Sequence, residues 1–250
     1  MSGLDRSRLG VVTFGDSITN GGGELQWGIA LQSWALWTAR ALGMPYSPYA
    51  QDGATVEDVL GRQIPAWSRL SASPDATYQL GCLYIGTNDL RTPGLNMARF
   101  QRQFAAALTF LETRCETLLV ATVPLDMGRP NRPRAIVALN EVISRTAADH
   151  GALVMDLSMF GGRRVMMADH VHPTALGQVT IAELAVSILE RNGFQVRVRP
   201  SELISYTTSW RGRLQGDWVY TYRHVKQSLK MALAALRQWS RRADAPRPGG

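Results

Sequence analysis

Hydrophobic positions follow two alternating patterns along the first 191 residues of the chain. Short apolar runs predict strands, and longer segments with apolar residues three or four positions apart predict helices. This alternation is typical of an α/β domain whose mostly parallel sheet is covered by helices on both faces. The predicted strands are Leu9–Phe14, Pro45–Tyr49, Thr77–Ile85, Thr117–Val123 and Ala152–Asp156. The predicted helices are Leu31–Leu42, Val56–Trp67, Asn96–Arg114, Arg134–Asp149 and a segment from Pro173 to about Arg191.

Polar and glycine-containing blocks follow three of these strands, and a fourth block precedes the last helix. In an open parallel sheet the ligand site lies at the carboxyl ends of the strands, so we expect the chemistry there. The blocks are Gly15-Asp16-Ser17, Gln51-Asp52-Gly53, Gly86-Thr87-Asn88-Asp89 and Asp169-His170-Val171-His172-Pro173.

Ser17 follows an apolar strand and a glycine, which predicts that its hydroxyl lies on a tight turn at the edge of the site. A serine hydroxyl is a weak nucleophile that needs a neighbouring base, and the base needs a group that orients it. His172 and Asp169 can supply both, because three residues on a turn let the carboxylate reach one imidazole nitrogen while the other nitrogen faces the serine. The sequence therefore predicts a triad of Ser17, His172 and Asp169.

Acyl transfer also requires donors for the negative oxygen of the tetrahedral intermediate. The backbone N–H of a glycine can approach such an oxygen closely, and an asparagine amide supplies a side-chain donor. We expect the backbone N–H groups of Ser17 and Gly53 and the side chain of Asn88 to form this oxyanion hole.

The four blocks, in this order and at this spacing, resemble the signature blocks of SGNH hydrolases, also called GDSL esterases and lipases. The resemblance covers about residues 9–191 and implies a flavodoxin-like three-layer α/β/α sandwich with a central five-stranded parallel sheet. It implies hydrolysis of carboxylic esters or related acyl groups, with no metal or organic cofactor. We expect the reaction to pass through an acyl-enzyme on Ser17, and the sequence leaves open whether the natural bond is an ester, a thioester or an amide. The family's catalytic and oxyanion residues correspond here to Ser17, Gly53, Asn88, Asp169 and His172.

Some residues of these blocks have alternative interpretations. Asn88 could cap a helix or stabilise its own loop, although Asp89 suits that role better. Asp169, His170 and His172 could form a metal site, but the sequence contains no third convincing group of ligands. We interpret His170 as a neighbour of the triad and Asp16 as a structural residue that holds the Ser17 turn.

Two loops border the predicted site. Asn20–Gly28 contains Gly21, Gly22 and Gly23 next to Trp27, and it could shape or gate the pocket or simply be a flexible connection. The segment Arg129–Arg134 could meet an anionic group of the substrate or could be a solvated loop.

Two functional alternatives to an ester hydrolase remain at this stage. An acyltransferase would form the same acyl-enzyme and pass the acyl group to an alcohol or amine instead of water. A non-catalytic binding scaffold would keep the fold without the chemistry, and the presence of every expected site residue argues against it.

Composition indicates an ordinary globular protein, with 45% hydrophobic and 19% charged residues among 250. The apolar run after the charged first eight residues is too short for a signal peptide, so we expect a cytoplasmic protein with no transmembrane anchor. Cys82 and Cys115 lie in apolar runs and are interpreted as packed thiols.

The last fifty residues differ from the rest, because residues 201–250 hold nine basic and three acidic side chains whereas residues 1–200 hold 18 and 17. We divide the chain into a hydrolase domain, 1–199, and a basic helical extension, 200–250, that frays from Ala243. The predicted helix, about Gln215–Arg242, could contact a membrane or a partner, pack on the domain or self-associate. Nucleic acid is not expected. Its apolar face comprises Trp218, Tyr222, Val225, Leu229, Leu233 and Leu236, beside a basic stripe of Arg223, Lys226, Lys230, Arg237 and Arg241.

Overall fold

The computed structural model describes residues 9–26, 28–71, 75–128, 132–205 and 209–243. Trp27, residues 129–131 of the Arg129–Arg134 loop, residues 1–8 and the end of the chain from Asp244 lie outside the described residues. The chain divides into two compact units, Met1–Tyr206 and Thr207–Gly250. The domain boundary expected after residue 199 stays a prediction.

The first unit is built on a five-stranded parallel sheet, whose strands are β1 (Val11–Gly15), β2 (Tyr46–Pro48), β3 (Tyr78–Tyr84), β4 (Cys115–Ala121) and β5 (Leu153–Met155). Their order in the sheet is β2-β1-β3-β4-β5. This order is the flavodoxin-like one. The chain adds β2 on one side of β1 and then β3, β4 and β5 on the other side, so the topological switch point lies between β1 and β3. The predicted α/β fold is confirmed, and each predicted strand is present with ends displaced by at most two residues.

Helices connect the strands and pack in two groups. They are α1 (Trp34–Leu42), α2 (Val56–Asp58), α3 (Ile64–Leu70), α4 (Met97–Glu112), α5 (Pro133–Asp149) and α6 (Ala175–Arg191). Helix α1 packs on α6, whereas α4 packs on α5 and on α2. A short 3₁₀ helix, Pro200–Leu203, packs on α6 and α1.

Local chemistry sets several of these boundaries. Helix α1 begins three residues later than predicted because the Ser33 side chain accepts a hydrogen bond from Ala35 N and caps the helix. A π-helical turn, Val59–Gln63, separates α2 from α3. Pro65 is the second residue after this turn and has no N–H for a regular helical bond, so the irregularity has a local cause.

The core lies on both sides of the sheet. The β1 residues are fully buried, and Trp34, Tyr78 and Phe104 are among the largest buried side chains. Cys82 and Cys115 are free thiols in this core, as expected, and burial raises the pKa of Cys115 to about 12.

The described residues of the second unit form one helix, α7 (Trp210–Ala243), which begins five residues before the predicted start. Among the described residues, no helix has the length and apolar character needed to cross a bilayer.

Candidate active site

The loop after β1 presents Ser17 at the carboxyl edge of the sheet. Gly15 ends the strand with φ +148°, and a Cβ there would lie 2.4 Å from the Tyr84 carbonyl oxygen of the neighbouring strand. The Asp16 carboxylate then accepts a hydrogen bond from Ile18 N at 2.9 Å, which closes the turn around Ser17. Asp16 therefore occupies the structural position expected for it.

Two hydrogen bonds join Ser17, His172 and Asp169. Ser17 Oγ lies 2.9 Å from His172 Nε2, and His172 Nδ1 lies 2.7 Å from Asp169 Oδ2. A carboxylate only accepts hydrogen bonds, so Nδ1 carries the imidazole proton and Nε2 directs its lone pair at the serine hydroxyl. The structure thus brings together three side chains that the sequence separates by 155 residues.

The loop before α6 holds His172 from both sides. Asp169 Oδ1 accepts hydrogen bonds from the backbone N–H groups of Val171 and His172 at 2.9 and 3.0 Å, while its other oxygen contacts the imidazole. On the far side, the Thr174 side chain caps α6 by accepting from Gly177 N. The carboxylate and the imidazole are therefore fixed by the same turn.

The pKa values of His172 and Asp169 shift in opposite directions. The hydrogen bond to Asp169 raises the pKa of His172 above its ordinary value, although burial opposes the shift. Burial acts to raise the pKa of Asp169, but hydrogen bonds from the His172 side chain and from backbone N–H groups outweigh burial and hold that pKa below its ordinary value. The lowered pKa of Asp169 favours its ionised carboxylate, and the raised pKa of His172 makes the imidazole a stronger base.

Asp16 differs from Asp169 because it is fully buried. Burial raises the pKa of Asp16 to about 7, despite its hydrogen bond from Ile18 N. A proton therefore sits on this carboxyl group over most of the acidic range.

Gly53 and Asn88 come from the loops after β2 and β3. Gly53 has φ +74°, a conformation that favours glycine, and a Cβ at this position would meet nothing within 4 Å. Asn88 donates one amide hydrogen to the Ala54 carbonyl at 2.9 Å, which leaves its second amide hydrogen for another acceptor. Asp89, not Asn88, receives the N–H of Val56 at the start of α2.

Ser17, His172, Gly53 and Asn88 all line one cavity of about 440 Å³. Asp169 lies behind His172 and does not line it. The cavity is lined by Ser17, Gly22, Gly23, Asp52, Gly53, Asn88, Arg91, Met167, Val171 and His172.

His170 points to a different partner from His172. Its Nδ1 lies 3.2 Å from Asp126 Oδ2, and its backbone has the left-handed φ of +55°. Within the described ranges of the chain, no group of three or more His, Cys, Asp or Glu side chains has a geometry that could hold a metal ion.

The model of the GDSL-like lipase/acylhydrolase family matches residues 13–179. The chain belongs to this family. The matched range contains Ser17 and His172, and membership makes the chain an ester hydrolase. No curated protein matches the chain.

Solved structures share the GDSL fold with this chain. A lipase/acylhydrolase from Enterococcus faecalis is 21% identical with a TM-score of 0.57, over 73% of this chain and 95% of that one. TesA is 24% identical with a TM-score of 0.57, over 72% and 98%. Axe2, an acetylxylan esterase from Geobacillus stearothermophilus, is 18% identical with a TM-score of 0.54, over 77% and 100%.

Two buried glutamines hold the turn Gly15-Asp16-Ser17-Ile18, which is the GDSL turn of this chain, and sequence reasoning missed both. Gln63 hydrogen-bonds the N–H and the C=O of Gly15 at 2.9 and 2.8 Å. Gln178 donates to the carbonyl oxygens of Ile18 and Gly22 at 2.9 and 3.0 Å. Their distance along the chain hides the contacts, and the signal available was a glutamine at a core position of each helical segment.

The glycines after the GDSL turn are required by close packing. Gly22 N donates to the Ser17 carbonyl, and a Cβ on Gly22 would lie 2.8 Å from that oxygen and 3.3 Å from His172 Cδ2. A Cβ on Gly23 would lie 2.4 Å from the Pro173 carbonyl oxygen. This part of the Asn20–Gly28 loop therefore shapes the wall between Ser17 and His172.

Proposed function

We propose that this GDSL hydrolase cleaves carboxylic esters through an acyl-enzyme on Ser17, with His172 as general base and acid and Asp169 as the group that orients it. The observation that carries the proposal is the continuous hydrogen-bonded series from Ser17 Oγ through both imidazole nitrogens to Asp169 Oδ2, at 2.9 and 2.7 Å. Raised basicity at His172 supports the same assignment.

In the first step Ser17 Oγ attacks the ester carbonyl carbon while His172 Nε2 takes the hydroxyl proton. The carbonyl oxygen of the tetrahedral intermediate becomes negative. We assign its stabilisation to the backbone N–H groups of Ser17 and Gly53 and to the free amide hydrogen of Asn88, because all three residues line one cavity.

Collapse of the intermediate breaks the bond to the alcohol, which takes the proton from His172 and leaves. The acyl group remains on Ser17 Oγ. His172 then removes a proton from a water molecule, whose oxygen attacks the acyl carbon, and the proton returns to Ser17 Oγ as the carboxylic acid is released. Asp169 stays ionised throughout and stabilises the imidazolium that forms twice in each cycle.

The experiment that tests this proposal is hydrolysis of p-nitrophenyl esters from acetate to palmitate by the wild type, Ser17→Ala and the exposed-serine control Ser68→Ala. We expect activity in the wild type and the control and a loss of at least 1000-fold in Ser17→Ala. Comparable rates in all three proteins would exclude Ser17 as the nucleophile.

Labelling separates the nucleophile from the choice of substrate. A fluorophosphonate should add to the wild type and not to Ser17→Ala, as measured by intact mass. Absence of labelling in a folded wild type would favour the scaffold alternative. Transfer of the acyl group to an alcohol or amine stays a prediction, and the ratio of new ester or amide to free acid after addition of the acceptor measures it.

A further inference from the structure

A second cavity of about 180 Å³ adjoins the one at Ser17, since Arg91 and Val171 line both. One part of its wall is apolar, formed by Leu90, Met127, Ile136 and Val171. The other part includes Arg91 and Arg132.

Both guanidinium groups are available to a ligand. Arg91 and Arg132 are exposed, and neither side chain has a hydrogen-bond or carboxylate partner within the part of the chain that the structure describes. The nearby carboxylate of Asp126 contacts His170. Arg132 also precedes the first turn of α5, whose amino-terminal dipole adds positive potential on the same side.

We propose that this second cavity binds an anionic group of the ester substrate, a carboxylate or phosphate, through Arg91 and Arg132. Guanidinium groups bind such groups through charge-assisted, often bidentate hydrogen bonds. The apolar wall then contacts the short hydrocarbon segment between the anion and the ester. This inference rests on the proposed function, because it assigns a substrate class to the same site.

Two matched ester pairs test the proposal and identify the side of the ester that bears the charge. On the acyl side, mono-p-nitrophenyl succinate is compared with p-nitrophenyl valerate. On the alcohol side, butyryl glycerol phosphate is compared with butyryl glycerol. We expect the wild type to prefer the anionic member of one pair by about 10- to 100-fold in kcat/KM, the range of one or two charge-assisted bonds.

Arg91→Gln and Arg132→Gln should each reduce that anionic-to-neutral ratio about tenfold, whereas Arg145→Gln on the exposed face of α5 should not. Equal ratios in all four proteins would overturn the proposal while ester hydrolysis itself stands. Should no ester react, the affinities of Ser17→Ala for the same intact esters give the same ratio without turnover. If Ser17→Ala binds the neutral ester of each pair as tightly as the anionic one, or more tightly, the inference is also overturned.

An independent observation concerns α7. Within Trp210–Ala243 the sequence has eight Arg and Lys residues and a single acidic residue, Asp217. Both lysines of the entire protein, Lys226 and Lys230, lie here. Helical geometry places them with Arg223 on one side of the helix, about 80–140° from Trp218.

An exposed apolar stripe runs beside these cations. Each of its side chains is more than half exposed, from 52% at Val225 to 72% at Trp218. The stripe comprises Trp210, Leu214, Trp218, Tyr222, Val225, Leu229 and Leu233.

The spacing of this stripe argues against a coiled coil between two copies. Its steps of four, four, four, three, four and four residues average about 3.8, whereas a left-handed coiled coil requires 3.5. Successive side chains of the stripe therefore move around the helix instead of forming the narrow seam of a coiled coil. With one acidic residue, α7 also lacks the opposite charges that pair two copies.

We infer that α7 lies in the plane of an anionic lipid surface, with the apolar stripe in the acyl boundary and the flanking cations at the headgroups. Vesicles of phosphatidylcholine alone and with 30% phosphatidylglycerol test this by flotation of the full chain. We expect flotation with the anionic vesicles only and at least a fivefold loss in 0.5 M NaCl.

Matched variants separate this surface from net charge alone. The triple variant Arg223→Gln, Lys226→Gln, Lys230→Gln should lose flotation, whereas Arg62→Gln, Arg99→Gln, Arg145→Gln removes three charges from the first unit and should retain it. Leu229→Ser with Leu233→Ser should also lose it. Equal flotation of both triple variants, or a dimer in analytical ultracentrifugation that Leu229→Ser dissociates, would overturn the inference.

Discussion

The Gln63 side chain replaces a backbone partner of Gly15, accepting from its N–H at 2.9 Å and donating to its C=O at 2.8 Å. Gly15 ends β1 two residues before Ser17, and Gln63 is fully buried. Gln63→Ala leaves buried backbone groups unpaired, so we expect a loss of about 1–3 kcal/mol in the free energy of unfolding. We also expect kcat to fall about tenfold as the Ser17 turn shifts.

Asn140 provides the matched control for Gln63. Its side chain makes the same pair of hydrogen bonds to Val123, at 2.8 and 2.7 Å, but the loop after Val123 carries none of the proposed triad. Asn140→Ala should lose similar stability and keep kcat on p-nitrophenyl acetate. Urea unfolding and kinetics at a temperature where both variants are folded measure the contrast. Equal losses of kcat would mean that Gln63 acts only through general stability.

The parts of the fold that are encoded locally could be predicted from the sequence. The strands of the sheet appear as apolar runs, and a strand followed by Gly15-Asp16-Ser17 specifies a turn at the sheet edge. Asp169 and His172 are three residues apart, so their contact is also local. The contact between His172 and Ser17 is predictable from the parallel topology, because a parallel sheet brings the carboxyl ends of its strands and the following loops to one edge.

Other parts depend on contacts that no local pattern contains. Gln178 reaches the carbonyl of Ile18 across 160 residues, and the need for glycine at position 22 arises from the approach of His172. The glycine run therefore looked equally consistent with flexibility. Cavity dimensions were inaccessible for the same reason, since the Arg91 and Arg132 loops are brought together only by the fold.

Asn88→Ala tests the oxyanion assignment. The variant removes the side-chain donor proposed for the intermediate, and we expect kcat to fall about 100- to 1000-fold with a small change in KM. Loss of its bond to the Ala54 carbonyl should cost about 1 kcal/mol of stability. Steady-state kinetics and thermal unfolding measure the two effects.

Asn96→Ala is the control for this substitution, because Asn96 caps α4 through Arg99 N. It should lose about 1 kcal/mol without losing activity. An Asn88→Ala variant whose kcat stays within threefold of wild type would show that the amide does not contact the developing charge.

Gly22→Ala tests the wall between nucleophile and base. The added methyl group would lie 2.8 Å from the Ser17 carbonyl oxygen and 3.3 Å from His172 Cδ2, so the backbone at Ser17 or Gly22 must shift and the imidazole must give way slightly. We expect kcat to fall at least tenfold on the smallest ester. Gly61→Ala, whose Cβ would meet nothing within 4 Å, should keep full activity. Unchanged kinetics in Gly22→Ala would show that the loop adapts at little cost.

The activity should rise with pH as His172 loses its proton, because only neutral imidazole accepts the Ser17 proton. The hydrogen bond to Asp169 raises the pKa of His172, so the midpoint of the kcat/KM profile should lie above the ordinary histidine value of about 6.5. Asp169→Asn should move the midpoint down and reduce kcat about 10,000-fold. Profiles from pH 5 to 9 on p-nitrophenyl acetate measure both, and an unmoved midpoint would contradict the assigned partner.

Stability should depend on pH through Asp16. Burial raises the pKa of Asp16 to about 7 in the folded protein, whereas an unfolded aspartate titrates near 3.8. Between these values the folded state holds a proton that the unfolded state has released, so the contribution of Asp16 to stability falls as pH rises towards 7. Above pH 7 a buried, ionised carboxylate destabilises the fold in full.

Asp16→Asn keeps the acceptor for Ile18 N and stays neutral at every pH. The variant should match the wild type near pH 4 and become more stable than it above pH 7, as measured by urea unfolding at both values. Hydrogen bonds from Ser158 and Thr122 outweigh burial and lower the pKa of Asp156, so its ionised form stabilises the fold at neutral pH. Asp156→Asn should therefore be less stable than the wild type at neutral pH. A stability difference between Asp16→Asn and wild type that does not vary with pH would mean that Asp16 is ionised throughout, with the Ser17 turn formed around a permanent charge.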